Sequence, residues 1–179
     1  MSVVEKKKNN LDKEEKIVTA LNKKLNKKVN IQRKKRLWVS IEPKEIVDAC
    51  SIAYDMGFEH LSTISVTDWI EKNNFEIAYH LWSYKEKMLL TIKARINREN
   101  PTISSVTSLW SKNAELCERE CHEFYGVIFE GNVNLTPLML EDWDGPPPFR
   151  KDFDWRKYVQ QKYFDESNPR EDNYFEVKK

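Results

Sequence analysis

The sequence predicts an α+β fold: a ferredoxin-like, mixed or antiparallel sheet with helices packed on its apolar face, plus an extended C-terminal arm. Two observations carry this. Phe75, Ile77, Tyr79 and Leu81 alternate with other residues, as do Met88, Leu90, Ile92, Ala94 and Ile96, and a period of two marks strands with one buried face. Three other stretches repeat apolar residues every three or four positions, the spacing of an amphipathic helix.

Taken in order, residues 1–10 read as a disordered lysine-rich start. From Leu11 to about Asn26, Ile17, Val18, Leu21 and Leu25 form a helical stripe. Val29 and Ile31, then Leu37, Val39 and Ile41, alternate as two strands, with the basic residues Arg33 to Arg36 at the turn between them. Pro43 suits the first turn of a second helix, where its missing N–H costs nothing. That helix buries Ile46, Cys50 and Ala53 and closes at Gly57. Three strands follow, the first marked by Ile64 and Val66. Connecting turns at Asn73–Asn74 and Lys85–Lys87 make the three an antiparallel meander.

Pro101 breaks the extended structure and Thr102 to Ser105 lead into the central helix, which begins near Ser105. Val106, Trp110, Ala114, Cys117, Cys121 and Phe124 form its apolar stripe, widened by Leu109 and Leu116. On its flank Glu115, Arg119 and Glu123 are spaced four apart, so Arg119 can reach a carboxylate in either direction. Gly126 is placed to take the left-handed conformation that ends a helix. Val127 to Phe129 then read as a short strand. Residues 11–131 are thus the core domain, and residues 132–179 an extended partner-binding arm. Gly145 and Pro146 to Pro148 stiffen that arm, and Phe149, Arg150, Lys151, Phe153 and Trp155 mix rings with charge. A short helix is expected from Asp154 to Tyr163.

Among 179 residues, 30 basic and 29 acidic side chains leave a net charge of +1, so no global field recruits nucleic acid, and no nucleic-acid partner is expected. Three cysteines and a start without an apolar core point to a reducing compartment. No apolar run reaches the roughly 20 residues needed to cross a bilayer. Cys117 and Cys121 put two sulfurs one turn apart, but structural zinc and iron–sulfur sites want four ligands. His122 points away and Cys50 lies on another element, so core packing is the expectation and an independent metal or redox protein the alternative of another class. No glycine loop that could cradle phosphate is present. Glu118, Arg119, Glu120, Glu123, Tyr125 and Phe129, followed by the aromatic arm, read instead as a surface that seats against a partner.

The segments SVTSLW, ERECHEFYGVIFEGNVNLTPLM and GPPPFRKDF resemble the signature of the C-type peripheral subunit of NADH:quinone oxidoreductase, a family that includes subunits of membrane-bound [NiFe] hydrogenases and related archaeal dehydrogenases. The resemblance is densest over residues 101–155 and extends over about 12–160. Asn132 and Val133 replace the family's usual histidine and proline, and Thr136 and Pro137 its paired arginines. These departures and the short tail lean toward a hydrogenase-type assembly. The resemblance implies a chain that holds no cofactor of its own and packs against a large catalytic subunit, the nickel–iron centre and iron–sulfur clusters belonging to partners. By the same resemblance a small iron–sulfur subunit is expected nearby, and membrane-embedded subunits are expected to be reached indirectly. The expected place is the cytoplasmic side of the cell membrane, peripheral through those partners.

Overall fold

The structure, a computed structural model, describes residues 11–163; the expectations for residues 1–10 and 164–179 lie outside them. The elements are α1 (Asp12–Leu25), β1 (Asn30–Arg33), β2 (Arg36–Ile41), a 3-10 turn (Pro43–Glu45), α2 (Ile46–Asp55), β3 (His60–Trp69), β4 (Asn74–Ser83), β5 (Met88–Asn97), β6 (Thr102–Ser104), α3 (Thr107–Tyr125), β7 (Ile128–Glu130) and α4 (Trp155–Tyr163).

Five strands form a mixed sheet in the order β1-β2-β5-β4-β3. β3, β4 and β5 are the expected antiparallel meander, and β2 runs parallel to β5 with Arg36 opposite Leu89. Parallel pairing requires a crossover, which α2, β3 and β4 supply. The alternating residues do what their period requires: Leu37, Leu61, Phe75, Ile77, Tyr79, Leu81, Leu90 and Ile92 are almost completely buried with Leu21 of α1 and Ile46, Cys50 and Ala53 of α2. Gly57 closes α2 as expected. At φ +91° it sits between two reverse hydrogen bonds, from the Gly57 amide to Tyr54 O and from the Phe58 amide to Ala53 O, the paired closure that a left-handed residue permits.

Two expectations are corrected. Thr102 to Ser104 do not merely lead into a helix: they form β6, parallel to β7, with Ile103 opposite Phe129. The central helix is also not one continuous stripe. Ser111 has φ 44° and ψ −121°, which breaks α3 after its first turn. Beyond the break Ala114, Glu118 and Cys121 face inward while Leu116 is 45% exposed.

α3 lies along β3, the last strand of the sheet, and its side chains occupy that edge. Trp110 Nε1 donates to Glu59 O at 2.8 Å, Asn113 Nδ2 to Leu61 O at 2.6 Å, and the Cys121 thiol to Ile64 O at 3.5 Å. An open strand edge invites pairing with other chains; here helix side chains take two of its carbonyls and that of Glu59, the residue just before it.

Candidate partner interface

The α-helix rises 1.5 Å per residue, so Glu115, Arg119 and Glu123 are about 6 Å apart, the span of two residues of extended chain. The arm uses this match. Glu115 Oε1 accepts from Asn134 Nδ2 at 2.9 Å. Arg119 donates to Thr136 O at 2.9 Å and to Pro137 O at 2.7 Å. The Glu123 carboxylate accepts the amides of Leu138, Met139 and Leu140, the last at 2.6 Å. Residues 134–140 therefore run along α3 in the helix direction, held mainly by their own backbone. The expected pairing of Arg119 with a neighbouring carboxylate is replaced by two carbonyls, and the carboxylates take donors of the arm. Glu115 also takes Lys112.

Glu118 corrects a further expectation. It has no exposed surface, so it cannot touch a partner. Its oxygens accept from the Val106 amide, the Ser105 hydroxyl and Asn132 Nδ2, each within 2.9 Å. The carboxyl thus joins the start of α3, its middle beyond the Ser111 break, and the first residues of the arm. Phe129 is likewise buried in the core, at 1% exposure.

Farther along, Phe149 stacks on Phe124 with ring centroids 4.3 Å apart, and its amide donates to Phe124 O. Arg150 donates to Tyr125 O at 2.8 Å and lies over the ring of Phe75. Gly126 ends α3 at φ +77°, and a Cβ there would lie 3.0 Å from the Arg150 guanidinium and 3.1 Å from Pro147. Its bareness serves both the helix end and the approach of the arm. The Lys151 amide donates to Asp68. Arg98, itself buried, binds Asp68 through Nε at 2.9 Å and also holds Asp152 through two hydrogen bonds. This fork between two carboxylates depresses the Asp152 pKa. None of Asp68, Arg98 and Asp152 is among the interface residues expected from the sequence. The arm is therefore not a free extension over residues 132–153 but a strap bound to its own domain.

Glu120, Glu123 and Tyr125 are partly exposed, Lys151 is exposed, and Phe149 and Trp155 are each 55% exposed. Phe153 is partly buried in a cluster with Trp143 and Tyr158. These residues lie on α3, on the strap and at the start of α4, and Arg119 and Arg150 tie the strap to α3. Cys117 and Cys121 face β3. Burial raises the pKa of both thiols and of the Cys50 thiol, which disfavours the thiolate that metal binding and redox attack require. His122 is turned to Val127 O through Nδ1. Among the described residues no group of three or more His, Cys, Asp or Glu side chains converges as a metal site.

Residues 39–159 match the family described as respiratory-chain NADH dehydrogenase, 30 Kd subunit. The chain belongs to this family. The match runs from β2 through the strap and into α4. The C subunit of F420H2 dehydrogenase from Methanosarcina mazei is 39% identical over 100 residues, covering 55% of this chain and 63% of that one. The C subunit of NADH-quinone oxidoreductase from Roseiflexus sp. strain RS-1 is 33% identical over 121 residues, covering 65% and 68%. The chain thus spans about two thirds of the length of these relatives. Among solved structures, a chain of the membrane-bound sulfane sulfur reductase, an archaeal respiratory membrane complex, superposes with a TM-score of 0.79 at 30% identity, over 88% of this chain and 96% of that one. A trypsin-resistant fragment of Nqo5 shares the fold, with a TM-score of 0.57 at 22% identity over 69% and 99%. No helix among the described residues is long and apolar enough to cross a membrane.

Proposed function

We propose that this chain is a cofactor-free scaffold subunit of a membrane-associated oxidoreductase complex, seated against the large catalytic subunit through the outer side of α3, the strap and α4. One observation carries the reading. Of the eleven large hydrophobic residues exposed among the described residues, seven lie between Leu116 and Trp155: Leu116, Ile128, Val133, Leu138, Met139, Phe149 and Trp155. Exposed apolar surface gathered along a rigidly held segment is what an interface core needs. Glu120, Lys151 and Phe153 supply polar and aromatic neighbours on the same stretch, and Arg119 and Arg150 fix its shape.

The function is then mechanical. The chain holds the large subunit beside a small iron–sulfur subunit, so that redox centres in those partners keep their spacing and the membrane-embedded subunits stay coupled to them, on the cytoplasmic side. For the chemistry of the whole complex, the departures at Asn132, Val133, Thr136 and Pro137 support an ion-translocating [NiFe] hydrogenase linked to ferredoxin. The identity to the F420H2 dehydrogenase chain favours a second reading, a respiratory dehydrogenase of that type.

Copurification through this chain tests both levels. Phe149→Ala with Trp155→Ala is expected to lose the large subunit, whereas Lys6→Ala keeps it; equal recovery rejects the interface. A copurified large subunit with two C-x-x-C pairs selects the hydrogenase, and one without them selects the dehydrogenase.

A further inference from the structure

The start of β5 lies at the end of the sheet away from the strap, and it brings together two turns that are some fifty residues apart in sequence. β2 pairs parallel with β5 from Arg36 opposite Leu89, and the Leu89 amide donates to Lys35 O at 2.9 Å. The β1–β2 turn therefore sits beside the β4–β5 turn. The first presents Arg33, Lys35 and Arg36, and the second Lys85 and Lys87, all exposed. Tyr84, 61% exposed, stands in the same turn against His60, with ring centroids 5.4 Å apart.

Two of the acidic groups at this end are engaged: Glu14 is buried and accepts the Lys35 amide, and Glu86 is paired with Lys13. Asp12 and Glu15, exposed at the start of α1, alternate with the exposed lysines Lys13 and Lys16. No ion pair joins the side chains of Arg33, Lys35, Arg36, Lys85 or Lys87 to a carboxylate among the described residues. Burial lowers the pKa of His80, and the charges of Lys93 and then Arg36 add to the shift.

We propose that this basic end is a second docking surface, complementary to an acidic patch on another protein, and that the chain bridges two partners. The placement supports a bridge. Arg98, which latches the strap, follows the last residue of β5, while the basic turns flank its first. A strand of ten residues separates them by roughly 33 Å at about 3.3 Å per residue, so both surfaces can be occupied together. The form of the patch favours protein over other polyanions. Two tight turns make a compact cluster rather than a groove that tracks a nucleic-acid backbone. Tyr84 alone is no apolar face of the kind that lies in a lipid interface. Complementary charge of this sort chiefly sets approach rate and partner choice, and it weakens with salt.

The intact complex, purified through this chain and treated with a zero-length carbodiimide that joins amines to touching carboxylates, tests the proposal. The expected products link Lys35, Lys85 or Lys87 to an Asp or Glu of another chain. Charge reversal by Arg36→Glu, Lys85→Glu and Lys87→Glu should lower the affinity for that chain by about tenfold or more, with the circular dichroism spectrum unchanged. Phosphatidylglycerol vesicles and a short DNA duplex, at about 50 mM salt, should not distinguish wild type from the reversed variant. Links confined to this chain, or vesicle or duplex binding abolished by the reversal, would overturn the proposal. Either failure leaves the strap interface standing, since no substituted residue belongs to it.

Discussion

The carboxylate of Glu118 accepts the amide proton of Val106 at 2.8 Å with neither residue exposed to solvent. Burial is the largest influence on this carboxyl and raises its pKa above the ordinary 4.5, against the hydrogen bonds from Val106, Ser105 and Asn132. A carboxyl with a raised pKa binds its proton more tightly in the folded chain than in the unfolded one. Its contribution to stability is therefore full below 4.5 and is lost as pH rises through the higher folded value. Glu118→Gln should flatten that decline in denaturant unfolding measured between pH 4 and 8. Glu118→Ala leaves three donors unsatisfied and should cost on the order of 3 kcal/mol. A Gln variant with the wild-type pH profile would show that this carboxyl does not titrate in the window.

Arg119 shapes the strap by holding two carbonyls. Arg119→Ala should speed amide hydrogen exchange across residues 134–140 while changing global stability by less than about 1 kcal/mol, because the contact is exposed. It should also weaken assembly with the proposed large-subunit partner more than Lys6→Ala does, since a loosened strap must be ordered again on binding. Unchanged exchange at residues 138–140 would mean that Glu123 alone holds the segment.

Arg98→Lys tests the latch. A lysine ammonium is a point charge and cannot fork between Asp68 and Asp152 as the guanidinium does. Removing those paired bonds at a buried position should cost about 2 to 4 kcal/mol and release residues 149–153, read as lost protection of the Lys151 amide. A stability change below about 1 kcal/mol would reduce the latch to a surface ion pair.

Much of this fold is written in periodicity, and the parts that are not have definite causes. The meander and the ends of α2 and α3 follow from local pattern. β6 does not, because three residues show no alternation and their pairing depends on β7 more than twenty residues later. Backbone carbonyls carry no side-chain signature, so the true partners of Arg119 are invisible in the sequence. Other features are legible in the residue pattern. Asp68 continues the buried parity of Ile64 and Val66, and Arg98 that of Ile92, Ala94 and Ile96; opposite charges at core parity at the same end of one meander, with only β4 between them, announce a buried pair. Glu118 similarly falls between Ala114 and Cys121 on the inward face, which becomes apparent once Ser111 breaks the stripe.

Tyr79 gives the prediction with the most unusual sign. Its side chain is wholly buried, and its hydroxyl has no hydrogen-bond partner. Burial, aided by the nearby Cys50, Glu118 and Cys121, drives the phenol pKa far up, so the group stays neutral and contributes nothing by ionising. A hydroxyl withdrawn from water without compensation costs roughly 1 to 3 kcal/mol, whereas removing one oxygen leaves a gap smaller than a methyl group. Tyr79→Phe should therefore raise stability by about 1 kcal/mol, seen as a higher denaturant midpoint with an unchanged slope. Loss of more than about 1 kcal/mol would instead require a buried water or a thiol bonded to that oxygen, and the Cys50→Ala and Cys121→Ala backgrounds would distinguish the two: a thiol partner makes the loss vanish in one of them, and a water leaves it in both.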